Sequence, residues 1–246
     1  MQAQLNHLHI NDNSRPLIFL GSNDAMYEYA EVCESYGIKV HGVIDQDYYG
    51  NTDTRCDIPV IDAESAFDDP EKLAYYRGNF NFFCANNWLP MKIPSIVRNR
   101  EKRNKLLTLI DTHNLNCISL THKMADVSKS AAIGRGVYID AFVSIEPKIV
   151  CHDYVNIYSH AAIGHDTIIG RNCVFQRRVS VSSNCVFGEN VFFGLAVKQF
   201  RMNVKFGSNT FIHEGVCIKR GTEENEIVAL GSNNQRRIYE LQESTE

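Results

Sequence analysis

Residues 133–169 read IGRGVYIDAFVSIEPKIVCHDYVNIYSHAAIGHDTII, and this stretch decides the fold because it repeats every six residues. From residue 133 onward, eleven successive sixth positions are apolar: Ile133, Ile139, Ile145, Cys151, Ile157, Ile163, Ile169, Phe175, Val181, Phe187 and Phe193. An amphipathic helix would show a period near 3.6 residues, and a half-buried strand a period of two. A period of six fits neither and predicts a solenoid of short strands.

A second, smaller residue lies four positions after each of these. The companions are Val137, Val143, Ile149, Val155, Ala161, Thr167, Cys173, Val179, Cys185, Val191 and Val197. Each hexapeptide therefore predicts one short strand and a corner, and three hexapeptides make one triangular coil. A single coil cannot bury its own apolar face, so several coils must stack, with strands about 4.8 Å apart. The pattern predicts a parallel β-helix.

Two details concern the corners of the repeat. Glycine follows the apolar residue at six places, which predicts either a positive φ or a close backbone approach: Gly134, Gly164, Gly170, Gly188, Gly194 and Gly207. After Phe193 the frame resumes one residue late at Phe206. This break predicts a bulge or a projecting loop between Leu195 and Lys205, and a register slip without function fits it equally well.

The residues before the repeat follow the pattern of a small parallel sheet. Apolar runs predict strands at residues 16–20, 39–45, 58–61, 81–84 and 117–120. A helix that ends at Tyr36, where Gly37 supplies the cap, separates the first two strands, and a charged helix is predicted over residues 94–114. The strand, helix, strand order is typical of half a Rossmann sheet.

The predicted fold class is therefore α/β plus all-β, in three segments. Residues 1–15 form a polar extension that is expected to fray. Residues 16–121 form a Rossmann-like domain, and residues 122–246 form the β-helix with a carboxy-terminal tail.

A ligand of such a sheet binds beyond the carboxyl ends of the strands, which places Gly21, Ser22, Asn23 and Asp45 around one crevice. Backbone N–H groups of the first turn would receive phosphate. Asp45 would accept hydrogen bonds from a ribose or a base, although a solvated acid at a strand end is an equally simple interpretation. The turn lacks the full GxGxxG pattern, so the dinucleotide signal is weak by itself.

Composition excludes several classes of protein. A net charge of -4 and a pI near 6.1 leave no basic footprint for nucleic acid. No apolar run approaches the roughly 18 residues of a membrane span. The polar start resembles no secretion signal. Eight cysteines form no CxxC pair, so we expect reduced thiols in the cytoplasm, with Cys151, Cys173 and Cys185 as small buried apolar residues.

Three segments carry a family resemblance, which extends from residue 16 to residue 233. His122-Lys-Met-Ala-Asp-Val-Ser128 and Val228-Ala-Leu-Gly-Ser-Asn233 are similar to segments that open and close the family's β-helix, in each case without a proline. Ile163-Gly-His-Asp-Thr-Ile-Ile-Gly170 is similar to its catalytic stretch. The chain resembles sugar O-acyltransferases related to sialic acid O-acetyltransferases and to bacillosamine-type amino-sugar N-acetyltransferases.

The resemblance implies a left-handed β-helix and an acyl transfer from acetyl-CoA, or another acyl-CoA, to an amino or hydroxyl group of a nucleotide-activated sugar. His165 would be the general base, assisted by Asp166, since histidine titrates near neutrality. Val174, Gly194 and Ala196 would contact the coenzyme. The protein would be a cytoplasmic homotrimer that needs no metal.

The sequence departs from the family pattern at five positions. Tyr158 and Val174 stand where the family has an asparagine and a second histidine, and Arg177 and Ser183 replace a proline and a glycine. Ala25 replaces a histidine in the first turn. These departures favour an alternative, a catalytically weakened scaffold or binding protein of surface-sugar metabolism.

A second alternative is a zinc enzyme that resembles the β-helical carbonic anhydrases, with His152, His160 and His165 as ligands. The three histidines occupy different positions of the hexapeptide, so none stacks on another. Zinc needs ligands that converge at about 2.1 Å, and this spacing does not favour it.

Overall fold

The structure is a computed structural model that describes residues 10–86, 93–230 and 236–240. The chain divides into two compact units, and the boundary falls between Leu120 and Thr121, one residue before the domain boundary that the sequence predicts. We call them the sheet unit and the helical-coil unit.

The sheet unit contains five strands in the order β3-β4-β2-β1-β5. The strands are β1 (Leu17–Leu20), β2 (Val40–Ile44), β3 (Thr54–Arg55), β4 (Ile58–Asp62) and β5 (Asn81–Cys84). Strands β4, β2, β1 and β5 are parallel, and the short β3 pairs antiparallel with β4. All four residues of β1 are buried because it lies inside the sheet. This arrangement confirms the predicted parallel sheet.

Within residues 10–86 and 93–120, three α-helices and a 3-10 helix connect the strands. They are α1 (Met26–Ser35), α2 (Pro70–Asn79), α3 (Ile93–Thr112) and the 3-10 helix Glu64–Asp68. Helix α1 ends as predicted, because Gly37 has a φ of 68° and its N–H donates to the Glu34 carbonyl at 3.1 Å. Helix α2 is not predicted by the apolar pattern. The sequence signal for the start of α2 is Asp69 followed by Pro70. The carboxylate of Asp69 caps the helix by accepting the N–H of Glu71 at 2.8 Å.

Two sequence expectations are wrong around this unit. The strand predicted over residues 117–120 is reduced to a bridge between Cys117 and Phe82, and Leu120 instead begins the short strand Leu120–Thr121, which spans the boundary between the units. The described part of the extension, residues 10–15, does not fray. Ile10 bridges Ser119, and the N–H of Asn11 donates to the Ser119 carbonyl at 2.8 Å. Residues 1–9 lie outside the described residues.

The helical-coil unit is built from two-residue strands that repeat along three faces. The first face carries β6 (Leu120–Thr121), β9 (Tyr138–Ile139), β12 (Asn156–Ile157), β15 (Val174–Phe175), β18 (Phe192–Phe193) and β21 (Phe211–Ile212). The second face carries β7 (Asp126–Val127), β10 (Ser144–Ile145), β13 (Ala162–Ile163), β16 (Ser180–Val181), β19 (Lys198–Gln199) and β22 (Cys217–Ile218). The third face carries β8 (Ala132–Ile133), β11 (Val150–Cys151), β14 (Ile168–Ile169), β17 (Val186–Phe187) and β20 (Lys205–Phe206). A hairpin of β23 (Glu226–Leu230) and β24 (Arg236–Glu240) extends the first face.

Pairing in these faces is parallel and confirms the β-helix. Ile145 pairs with Ile163, and Ile157 with Phe175, at a spacing of eighteen residues that becomes nineteen where the pairs span residues 200–204, as in Phe192 with Phe211. The eleven apolar repeat positions expose 0–4% of their surface and the eleven companions 0–1%. Both sets fill the interior of the coil, as the period of six predicts.

The structure shows which of the two predicted roles, a positive φ or a close backbone approach, applies to the six corner glycines. None of the six has a positive φ, and their role is close approach: a Cβ on Gly170 would lie 2.3 Å from the Gly188 carbonyl oxygen. The left-handed conformation occurs instead at non-glycine residues directly before the companions. These include Phe142, Lys148, Tyr154, His160, Asp166, Asn172, Arg178, Asn184, Asn190 and Ala196.

The break in the repeat is a one-residue insertion in a corner. Strand β19 keeps the frame, and Gln199 points inward with 2% exposed surface. The corner that follows it, residues 200–204, has one residue more than the corner at residues 182–185, and Val186 accordingly pairs with Lys205. Gln199 occupies the next inward position of the repeat after Phe193, but a pattern of apolar residues does not identify it because glutamine is polar. Its amide oxygen accepts the N–H of Ser182 in the preceding corner at 2.9 Å, and its Nε2 donates to the Arg201 carbonyl within the longer corner.

The outer surfaces of the three faces differ. Outward side chains of the first face are buried, for example Tyr138 and Asn156 at 0%. On the second face Ala162 and Ser180 are exposed, and on the third Ile168 is 41% exposed. Among the described residues, no helix has the length and apolar character that crossing a membrane requires.

Candidate functional site

His165 and Asp166 form a hydrogen-bonded pair at the corner between the second and third faces, which we call the second corner. Nδ1 of His165 lies 2.7 Å from Oδ2 of Asp166. When Nδ1 donates its proton to this carboxylate, the lone pair of the ring lies on Nε2. The imidazole is 45% exposed and the carboxylate 40%. The pair is therefore able to accept a proton from a group outside the coil.

The backbone of the second corner fixes this pair. The N–H of His165 donates to Oε2 of Glu146, one coil below, at 2.8 Å. The N–H of Asp166 donates to the Pro147 carbonyl at 3.1 Å, and Asp166 has a φ of 56°. Nζ of Lys148 lies 4.0 Å from Oδ1 of Asp166. The repeat thus determines where the histidine projects, because each contact joins stacked corners.

The second corner lies between the two faces whose outer side chains are exposed. The one-residue insertion is in this same corner, two coils further along, where Phe200 is 56% and Met202 49% exposed. The break in the repeat is therefore aligned with His165 along the coil.

A second histidine–carboxylate pair, which the sequence analysis does not predict, occurs at another corner. Nδ1 of His213 lies 2.6 Å from Oε2 of Glu214, at the corner between the first and second faces, which we call the first corner. The His-Glu dipeptide directly after an inward isoleucine, Ile212, is the signal that could have found it. This pair provides a natural comparison for His165.

The predicted coenzyme residues do not gather around His165. Val174 lies on the first face and exposes 0% of its surface, so it cannot contact a ligand in this conformation, contrary to the sequence expectation. Gly194 and Ala196 lie in the first corner, one coil below His213. The period of six cannot predict that Val174 is buried, because it does not show on which face of the coil the outward side chains are buried.

The three histidines of the zinc alternative occupy three different corners. His160 is in the first corner and His165 in the second, while His152 is in the corner that joins the third face to the first. They do not converge. In the described part of the chain, no group of three His, Cys, Asp or Glu side chains is arranged to hold a metal ion.

The sheet unit brings the turn after β1, which holds Gly21 and Ser22, against the end of β2, where Asp45 lies. Oγ of Ser22 donates to Oδ2 of Asp45 at 2.6 Å, and the N–H of Gly21 donates to the Ile44 carbonyl at 2.8 Å. Gly21 has a φ of 67°, and a Cβ there would lie 2.5 Å from Leu106. Asp45 is only 1% exposed, so it is not the solvated acid of the alternative interpretation.

Asn23 and two acids complete the surroundings of this crevice. Oδ1 of Asn23 accepts the N–H of Ala25 at 2.8 Å, at the start of α1. Burial raises the pKa of Glu64, and the charge of Asp45 raises it further. Lys102 forms an ion pair with Asp47. The carboxyl ends of β1 and β2 therefore form a polar crevice rich in acids.

Solved structures with the same fold include two acetyltransferases. A mutant of perosamine N-acetyltransferase from Caulobacter crescentus, in complex with CoA and GDP-perosamine, superposes with a TM-score of 0.75 at 20% identity, over 90% of this chain and 96% of that chain. The acetyltransferase domain of PglB from Neisseria gonorrhoeae, in complex with acetyl coenzyme A, gives 0.72 at 21% identity, over 92% and 99%. These similarities confirm the fold.

Sequence similarity to curated proteins is confined to part of the chain. The acyl-[acyl-carrier-protein]–UDP-N-acetylglucosamine O-acyltransferase of Rickettsia typhi is 28% identical over 114 residues, which are 46% of this chain and 40% of that protein. The corresponding protein of Rickettsia bellii is 26% identical over the same length. This chain thus matches less than half the length of these relatives. No protein-family model matches the sequence.

Proposed function

We propose that this protein is an acyltransferase that moves an acetyl or other acyl group from a coenzyme A thioester to an amino or hydroxyl group of a nucleotide-activated sugar. The observation that carries the proposal is the His165–Asp166 pair, whose Nδ1–Oδ2 distance is 2.7 Å at an exposed corner of the β-helix. The activities in the names of the sequence relatives, and the CoA and GDP-perosamine in structures of the same fold, support it.

The proposed reaction needs one base. The sugar nitrogen or oxygen attacks the thioester carbonyl carbon, the C–S bond breaks, and coenzyme A leaves as a thiolate. Nε2 of His165 takes the proton of the attacking group, and the carboxylate of Asp166 stabilises the resulting imidazolium through Nδ1. The proton then passes to the thiolate, which restores the neutral histidine. The nucleotide of the acceptor is assigned to the crevice of Gly21, Ser22 and Asn23.

We further propose a homotrimer in the cytoplasm. The exposed second and third faces on both sides of His165 support assembly, because Ile168 exposes 41% of an apolar side chain there. The eight free cysteines support a reducing compartment. Sedimentation equilibrium tests the assembly, and a monomer at micromolar concentration contradicts it.

Turnover measurements test the activity. Purified protein is incubated with acetyl-CoA and a panel of UDP-, GDP- and dTDP-linked amino and neutral sugars, and products are identified by mass spectrometry. We expect an acylated product from at least one sugar nucleotide. Binding of these compounds without turnover of acetyl-CoA or a longer acyl-CoA supports the scaffold alternative instead.

A further inference from the structure

Arg55 connects the two turns that form the crevice of the sheet unit. One of its terminal nitrogens, Nη2, lies 2.6 Å from Oδ1 of Asp24, in the turn after β1. Its guanidinium carbon lies 5.1 Å above the ring of Tyr48, in the turn after β2. The guanidinium therefore lies between the turns that follow the two central strands.

The tight hairpin turn between β3 and β4 places Arg55 there. Cys56 and Asp57, directly after Arg55, have φ values of 51° and 61°. The thiol of Cys56 contacts the Asn23 carbonyl at 3.7 Å, so this turn folds against the first turn of the crevice. The two residues form the two-residue loop of the β3–β4 hairpin, in which a positive φ at both positions is usual, so the hairpin fixes where Arg55 lies.

Two buried donors at this place have no acceptor among the described residues. They are Nδ2 of Asn23 and Nε of Arg55. A buried N–H without an acceptor costs about 1–3 kcal/mol, so native proteins rarely keep two of them together. Both donors belong to side chains that border the crevice, and an oxygen-rich ligand would satisfy both.

The charges indicate what kind of ligand this is. The other charged groups at the turns are mostly acids, including Asp24, Asp45, Asp47 and Glu64, and Lys102 is already paired with Asp47. The ion-pair partner of Arg55 is Asp24, whose side chain is 90% exposed, and the other neighbour of the guanidinium is the uncharged ring of Tyr48. An exposed carboxylate is a weak partner that a dianion displaces easily.

We propose that Arg55 and Asn23 bind the diphosphate of the nucleotide sugar, and that Arg55 exchanges the carboxylate of Asp24 for a phosphate oxygen when the nucleotide enters. The inference deepens the proposed function and rests on it for the identity of the ligand. Asp24 is then a stand-in anion that holds the guanidinium in place and competes with substrate.

Calorimetric binding of GDP and UDP to the full chain tests the proposal, with guanosine, uridine and coenzyme A as further ligands. Arg55→Ala is expected to weaken nucleotide diphosphate binding roughly tenfold to a hundredfold, the range of a charged hydrogen bond. Asp24→Asn is expected to strengthen it, because the competing charge is gone. Arg77→Ala, an exposed arginine of α2, is the matched control and should bind as the unmodified protein does.

The outcomes separate this proposal from the activity. Unchanged GDP and UDP affinity in Arg55→Ala overturns it, even if the protein acylates sugars. A loss confined to coenzyme A, or equal losses for guanosine and uridine, also overturns it, because the diphosphate is then not the group that is bound. If Arg55→Ala weakens the nucleotides and no acyl transfer is found, the diphosphate site stands and the proposed activity fails. Unfolding temperatures of the variants exclude a loss through misfolding.

Discussion

Ser22 and Asp45 are joined by a hydrogen bond of 2.6 Å that ties the end of β1 to the end of β2. Asp45 is 1% exposed, and its second oxygen accepts the N–H of Asp47 at 2.9 Å. The acid that the sequence proposes as a ligand acceptor thus also holds the wall of the crevice together.

Asp45→Ala is expected to lower the free energy of unfolding by about 1–3 kcal/mol, because the hydroxyl of Ser22 and the N–H of Asp47 lose their acceptor. Ser22→Ala removes only one hydrogen bond and should cost less. Urea titration followed by circular dichroism measures both. Equal stability of Asp45→Ala and the unmodified protein would show that this contact does not hold the crevice.

The lowered pKa of Asp62 leads to a prediction of how the free energy of unfolding depends on pH. Burial alone would raise the pKa of its carboxyl, but hydrogen bonds from Lys72, the Ala63 N–H and Tyr76 outweigh burial and lower the pKa. A lowered pKa stabilises the fold fully above the unfolded value, roughly 3.9, and this contribution is lost as pH falls through the folded value. The stability difference between the unmodified protein and Asp62→Asn should therefore shrink below about pH 4. Parallel profiles from pH 7 to pH 3 would contradict this role.

Four stacked asparagines support the corner between the third and first faces. Nδ2 of Asn172 donates to Asn190 at 2.8 Å, Asn190 to Asn209 at 3.1 Å, and Asn209 to Asn225 at 3.0 Å. Asn190 also has a φ of 56°. Asn190→Ala should destabilise the β-helix by about 1–3 kcal/mol, since it loses two hydrogen bonds and places alanine in the left-handed region. Asn190→Gly keeps the backbone conformation and should lower the unfolding temperature less than Asn190→Ala. Equal losses in the two variants would show that the left-handed conformation does not contribute to the cost.

The cysteines differ in reactivity. Burial raises the pKa of the Cys33 and Cys173 thiols to about 12, whereas Cys217 is exposed. A thiol-specific chromogenic disulfide should label Cys217 quickly in the native protein and the buried thiols only after unfolding. Cys217→Ser should abolish the fast phase, and the half-buried Cys56 should react more slowly than Cys217. A fast phase of the same size in Cys217→Ser would contradict this order of exposure.

The sequence predicts the β-helix well because its period of six leaves a visible mark at each coil. The inward positions of Ile163 and Phe175 follow from that period, and so does the corner that carries His165. The burial of outward side chains on the first face does not follow from the period. Val174 and Ile168 are both apolar and both precede an inward residue, but Val174 is buried and Ile168 is exposed.

The sheet unit shows a different limit. The sequence predicts that Gly21, Ser22 and Asp45 lie at one edge because parallel strands bring their carboxyl ends together, and Ser22 and Asp45 do contact each other there; their role in binding stays a prediction. Arg55 was not found, because a turn with two left-handed residues, Cys56 and Asp57, carries it to the crevice and neither residue is a glycine.

The central claim is that His165, and not simply any histidine beside an acid, removes the proton in acyl transfer. Steady-state rates of His165→Ala and His213→Ala, with acetyl-CoA and the sugar nucleotide that the protein accepts, test it most directly. Each variant loses a ring bonded to the next residue's carboxylate, but at different corners. We predict that kcat falls by roughly 10²–10⁴-fold in His165→Ala and is unchanged in His213→Ala. Equal rates for the two variants, or full activity of His165→Ala, would contradict the assignment.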